Sequence, residues 1–302
     1  MTRATTGESA AAASPRGWRR LLPPPWRHPA PVVGVLRLSG IIGGVSPLRN
    51  GLSLATTAQA IEKVFALRHL KQVAIIVNSP GGSPVQSTLI YKRIRALAEE
   101  REVPVATFCE DVAASGGYLV ALAGDEIFAD ESSIVGSIGV VSAGFGFDQA
   151  IGRLGIERRV HTAGPRKMIL DPFQPEKAED VETLKAVQEE IHETFKGLVR
   201  ARRGAAIGLH GDALFSGEFW TGARAAELGL VDGVGDIRQV MRERFGKRVR
   251  LKPVPISRGW RWQQRGGVGE AAPIGLGGLG GRLADDLISA LEERAAWGRY
   301  GL

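Results

Sequence analysis

The stretch Val73-Ala74-Ile75-Ile76-Val77-Asn78-Ser79-Pro80-Gly81-Gly82-Ser83 decides the architecture. Its five leading apolar residues show no polar alternation, the habit of a strand covered on both faces, as in a parallel sheet. The strand is read over residues 71–78. It stops at the Ser-Pro-Gly-Gly turn, because proline removes a ladder donor and glycine accepts backbone angles that other residues avoid. Upstream, residues 32–38 read as a strand, followed by a glycine-rich turn and a helical pattern over 52–70. Downstream come a helix over 85–101, with Ile90, Ile94 and Leu97 at helical spacing, and a strand over 103–108. A small-residue segment at 115–123 precedes strands over 126–129 and 135–141. A long amphipathic pattern, Val181, Leu184, Val187, Ile191, Phe195 and Leu198, fills 175–203, and further helices follow Phe219-Trp220-Thr221-Gly222-Ala223 and at 237–245. This alternation predicts an α/β layered fold with right-handed crossovers.

The 302 residues are 44% hydrophobic and 24% charged, which suffices for a globular core. Composition divides the chain into a basic, disordered arm at 1–30, a main domain at 31–250, a basic Trp- and Gly-rich linker at 251–281 and a C-terminal amphipathic helix at 282–302. The formal net charge is +7. Part of the excess lies in Lys247, Arg248, Arg250, Lys252, Arg258, Arg261 and Arg265, interleaved with Trp260 and Trp262, a pattern suited to a solvated tail or an anionic membrane face. No nucleic-acid partner is expected. The one cysteine, Cys109, rules out an intrachain disulfide and reads as a small buried hydrophobe. No run reaches the roughly 18 apolar residues of a membrane span, and the N-terminal arginines precede no apolar leader core. A cytoplasmic or peripherally membrane-associated protein is the expectation. Scattered histidines give no metal spacing and Ser79-Pro80-Gly81-Gly82-Ser83 lacks a phosphate-loop lysine, so no cofactor is implied.

The chemistry concentrates in two further blocks, Ala113-Ala114-Ser115-Gly116-Gly117-Tyr118 and Ala163-Gly164-Pro165-Arg166-Lys167. A hydroxyl becomes an effective nucleophile only when a neighbour takes its proton and donors hold the resulting oxyanion. Gly116 follows the serine at an expected helix N-terminus, where free amides favour negative charge. Gly82, without a Cβ, lets a carbonyl approach its N–H. A lysine acts as a base only when neutral, which desolvation promotes, and Met168, Ile169 and Leu170 suggest a partly apolar surround for Lys167. His161 is a rival base without the rest of a triad. Ser79, Ser83, Ser132, Ser133 and Ser137 read as turn and cap hydroxyls, and Asp111 carries no catalytic assignment.

These blocks, with Val135-Gly136-Ser137-Ile138-Gly139-Val140 and Asp171-Pro172-Phe173, resemble the signal peptide peptidase A family of serine-lysine endopeptidases in its short form. That family lies within the ClpP and crotonase-like superfamily. The resemblance covers roughly residues 31–248, and Lys167 follows Ser115 by 52 positions, close to the short-form interval. It implies a ClpP/crotonase-like layered fold of repeated β-β-α units with a C-terminal helical extension. It implies Ser115 as nucleophile, Lys167 as general base, and the amides of Gly82 and Gly116 as oxyanion donors, with Gly81, Gly117 and Ser137 in support. It also implies peptide substrates, such as signal-peptide remnants or other apolar membrane-derived segments, and a ring-shaped homo-oligomer in which the lysine comes from the same or a neighbouring subunit. Two other readings stand beside it: a crotonase-like acyl-CoA enzyme using the same oxyanion hole, and a non-catalytic scaffold at a membrane surface.

Overall fold

The computed structural model describes residues 30–44, 51–164, 166–211, 213–256 and 294–301. Among these, strands β1 (Val32–Ser39), β2 (Leu70–Ser79), β3 (Val105–Ala114), β4 (Glu126–Ala129), β5 (Ile134–Gly136), β6 (Phe219–Thr221), β7 (Gly233–Val234) and β8 (Arg250–Pro253) form one sheet. The order is β6-β5-β3-β2-β1-β8, with β4 beside β3 and β7 beside β4. Every pairing is parallel except β5 with β6. This is the mixed α/β, ClpP/crotonase-like layered fold.

The unbroken apolar run of β2 is explained by burial on both sides. Val73, Ile75 and Val77 enter one core with Leu36, Leu38, Ile61, Ile90 and Ile94, while Ala74 enters a second core with Val33, Val35, Phe108 and Met241. The first core is roofed by α1 (Leu54–Phe65), α2 (Pro84–Arg101), α3 (Gly116–Ala121) and α5 (Ala178–Ile207), and the second by α7 (Ile237–Phe245). Two shorter helices, α4 (Asp148–Arg153) and α6 (Gly222–Glu227), are also present. Truncating a fully buried anchor such as Ile90 or Ile94 to Ala would cost about 2–5 kcal/mol.

The sheet forks at β3. Its first half pairs with β4 through Ala106–Cys109, and its second half pairs with β5 through Val112–Ala114. On the other side the β2–β3 register shifts between Val77 and Ser79. Asn78 fills the gap: its amide donates to Asp111 at 2.7 Å and its carbonyl oxygen accepts from the Val112 N–H at 3.2 Å. The shift lies just before both strands end, and the Ser-Pro-Gly-Gly turn that follows β2 packs beside Ser115.

Several boundaries differ from the sequence pattern for local reasons. The helix expected over 52–70 begins only after Ser53, whose hydroxyl caps it by accepting from the Thr56 N–H, and it ends at Phe65. The strand expected over 103–108 runs to Ala114, because the polar Glu110 and Asp111 sit where β3 changes partners. The strand expected over 135–141 ends at Gly136, where φ turns to +115°. The sheet continues past residue 250, since β8 pairs with β1, so the expected linker from 251 begins inside it. The basic arm at 1–29, the linker at 257–281 and the first part of the C-terminal helix lie outside the described residues. Residues 294–298 are helical, and Trp297 and Tyr300 pack on Val112 and Ala114.

Candidate active site

Ser115 sits where β3 ends and α3 begins, with φ 51° and ψ −121°. A non-glycine residue at that angle stores strain on the order of 1–3 kcal/mol and persists only where its surroundings over-determine it. The determinants are on both sides. The Ser115 N–H donates to the Gly136 carbonyl at 2.8 Å, and its own carbonyl accepts from the Leu119 N–H at 3.0 Å. Every residue of α3 from Gly116 to Ala121 is buried, and the Tyr118 hydroxyl donates to the Leu230 carbonyl at 2.7 Å. Burial pushes the Tyr118 phenol well above its ordinary range, which keeps this donor neutral.

Gly81 and Gly82 pack directly against this turn. A side chain at Gly81 would place its Cβ 2.9 Å from both the Ser115 Cβ and the Gly116 nitrogen. At Gly82, φ is +135° and a Cβ would fall 2.0 Å from the Ile42 carbonyl oxygen, so the position requires glycine. At Gly116 a Cβ would meet the Ser87 hydroxyl at 2.4 Å, and Gly117 lies equally close to the Ser79 backbone. Among the described residues the N–H groups of Gly82 and Gly116 have no acceptor. They flank the serine as two unengaged donors, the second at the first position of a helix.

Ser115 opens onto an apolar cleft of about 560 Å³, within the range of ligand sites at roughly 300–1,000 Å³. Val85, Leu89, Leu119, Val140, Phe195 and Leu198 supply its apolar walls. The His192 Nε2–H donates to the Ile138 carbonyl at 3.1 Å and ties α5 to the loop beside the cleft. Lys92, one helical turn beyond Leu89 on α2, also lines this cleft and is exposed. Sequence reading passed over Lys92. The 85, 88/89, 92 spacing on one helix face was the available signal.

Lys167 is placed differently. It is exposed, outside the cleft lining, and among the described residues no hydrogen bond joins it to Ser115 or to Ser137. The expected apolar surround is absent within one chain, since Met168 and Ile169 are themselves 39% and 37% exposed. Lys167 belongs to an arm at 141–170 that contributes nothing to either core. The arm is pinned at its base: Arg158 pairs with Asp171 at 2.8 Å and lies 4.8 Å over the Phe173 ring, and Asp180 accepts from the Leu170 N–H at 3.3 Å. The Arg158 hydrogen bond holds the Asp171 carboxyl below its ordinary range.

The remaining candidates fall into structural positions. Ser137 is buried, at φ 53°, and its N–H donates to the Glu218 carbonyl at 2.6 Å. Ser79 accepts from the Gly81 N–H, Ser83 caps α2, and Ser133 accepts from the Asp130 N–H. His161 is exposed on the arm. Cys109 is buried and its thiol is pushed up to about 12 by burial, so it holds its proton. Among the described residues no cluster of metal-ligating side chains occurs.

A serine at a strained strand-to-helix turn on a forked parallel sheet, flanked by glycine amides, defines the ClpP/crotonase-like class. Two family profiles match the chain: peptidase family S49 over residues 98–248 and Clp protease over residues 48–135. The chain is 33% identical to a putative protease of Synechocystis sp., covering 63% of this chain and 70% of that protein. It is 31% identical to the chloroplastic serine protease SPPA of Arabidopsis thaliana, over 69% of this chain and 31% of that protein. The chain belongs to peptidase family S49, in the SppA-like group of proteases. It is also 54% identical, over 94% of its own length, to a protein of Brucella abortus named Na(+)/H(+) antiporter NhaA. It spans only 39% of that relative. Among the described residues no helix is long and apolar enough to cross a membrane.

Proposed function

We propose that this chain is a serine endopeptidase that cleaves extended apolar peptide segments, such as signal-peptide remnants. The observation that carries the reading is Ser115 lining an apolar cleft beside two glycine N–H groups that have no acceptor among the described residues. In this mechanism the Ser115 Oγ attacks the scissile carbonyl carbon. The Gly82 and Gly116 amides donate to the oxygen as it gains charge. The base takes the serine proton and returns it to the leaving amine, and water then hydrolyses the acyl-enzyme and restores the hydroxyl.

The base in this reading is Lys167, supplied by a neighbouring copy of the chain. The support is the arm itself. Phe145 is 81% exposed, Leu154 74% and Ile156 55%, an apolar load that a lone arm leaves in water. Packing it against a second copy would bury these side chains and carry Lys167 into a dry site, the condition under which an amine loses its proton readily. A homo-oligomer with shared sites follows.

The test is turnover of an internally quenched apolar peptide by purified protein. Ser115→Ala and Lys167→Met each bring hydrolysis to background, while Lys92→Met retains it. Mixing the two inactive variants restores part of the activity, because some sites then pair the intact Ser115 of the lysine variant with the intact Lys167 of the serine variant. Retained turnover in Ser115→Ala rejects the nucleophile. Loss in Lys92→Met with retention in Lys167→Met moves the base to α2.

A further inference from the structure

On the sheet face opposite the Ser115 cleft, α7 and β8 enclose a second concavity of about 380 Å³. Its floor is aliphatic: Val35, Ile76, Ile237, Val249, Leu251 and Pro253. Its rim carries Arg238, Arg242 and Lys247. Arg248, Arg250 and Lys252 extend the positive charge along the same turn and edge strand. Among the described residues none of these six side chains has an ion pair or hydrogen bond. Less exposed cations of the fold are engaged: Arg203 with Asp232, Arg95 with Asp125, and Arg244 on α7 itself with Glu126. Within 237–253 the only acidic residue is Glu243, which accepts from Gln239.

Charged side chains on an edge strand discourage edge-to-edge pairing, and that accounts for Arg250 and Lys252. It does not account for three unpaired cations gathered around an aliphatic hollow on the sheet face. A polyanion such as nucleic acid needs the charge and not the hollow, and the lining offers no aromatic ring for a base to stack on. A ligand with an anionic head and an aliphatic body uses both. We propose that this face docks on an anionic phospholipid surface, with headgroup phosphates on Arg238, Arg242 and Lys247 and one lipid's aliphatic portion in the hollow. The sequence continues the same chemistry past β8 with Arg258, Arg261, Trp260 and Trp262. The inference stands apart from the proposed peptidase activity, since the two sites lie on opposite faces of the sheet.

The experiment is co-sedimentation of the full chain with vesicles of phosphatidylcholine alone or mixed with phosphatidylglycerol. Binding is expected to the mixed vesicles only, and to weaken as salt is raised. Each cation near such a surface is worth about fivefold in partitioning, so Arg238→Gln with Arg242→Gln and Lys247→Gln lowers it about 10²-fold. All three side chains are exposed, so the variant keeps its circular dichroism and melting temperature. Dodecyl phosphate competes with the vesicles at concentrations where inorganic phosphate does not, which separates the hollow from its charge. The proposal is overturned if the triple variant binds like the parent, if inorganic phosphate competes equally, or if dodecyl phosphate binds while vesicles do not.

Discussion

The turn at Ser115 and the arm that carries Lys167 are held by different physics. Around the serine every neighbour is specified within one chain: β5 fixes its N–H, α3 is wholly buried behind it, and glycines at 81, 82, 116 and 117 let three backbone segments close to contact. The arm has polar pins at its base and exposed apolar side chains beyond them. The proposed nucleophile and oxyanion donors thus sit where one chain holds them, whereas the proposed base waits on assembly. A peptidase arranged this way would be inactive as a single chain and become competent only once copies meet.

That contrast can be broken most forcefully at the nucleophile. Ser115→Ala should lower kcat/KM by about 10⁴-fold or more with the fold unchanged. Ser115→Gly should abolish turnover too while raising stability by about 1 kcal/mol through relief of the positive φ, visible as a higher melting temperature. A stability loss instead would mean that the turn is not strained.

On the arm, Lys167→Met should cost about 10³-fold in kcat/KM yet move stability by no more than about 0.5 kcal/mol, as an exposed position allows. An effect on melting as large as that of a core residue would place Lys167 in the fold and dissolve the contrast. Phe145→Ser combined with Ile156→Ser should weaken self-association at least tenfold in sedimentation velocity and make specific activity fall on dilution. Activity independent of concentration would contradict a shared site.

Gly117→Ala sharpens the other side. Its Cβ would lie 2.4 Å from the Ser79 carbonyl oxygen, so a loss on the order of 1–3 kcal/mol in denaturant melts is expected. A neutral result would show the three segments less tightly closed than described. The smallest effect is the pH response of the arm. The Arg158 hydrogen bond lowers the Asp171 carboxyl in the folded chain, so its contribution is complete above an unfolded aspartate's pKa near 3.9. It is lost as pH falls through the lower folded value. Protection of the 141–170 amides against hydrogen exchange should fall through that acid window, and in Arg158→Met it should already be low at neutral pH.

Much of this was legible in the sequence. The unbroken run 73–77 announced a doubly covered strand, and residues 126–129 and 237–245 were read at their observed limits because charge and apolar period change sharply there. The Ser115 and Gly82 blocks were readable because strained turns demand particular residue types. The fork in β3 was not, since Glu110 and Asp111 look like a strand end until Asn78 is seen to bridge the gap. The cleft's far wall from α5 depends on packing between distant segments, to which periodicity along one helix is blind; the helix spacing puts Lys92 on the face of Val85 and Leu89 but does not say that this face lines a cleft. The apolar surround expected for Lys167 from Met168, Ile169 and Leu170 is not formed within one chain, where Met168 and Ile169 are themselves exposed.

The central claim concerns one hydroxyl. A fluorophosphonate probe, followed by peptide mass mapping of the full-length protein, reads it directly. The account predicts a single adduct on the peptide containing Ser115, strongly reduced in Lys167→Met; an adduct on another residue, or none in protein that hydrolyses peptide, would contradict it.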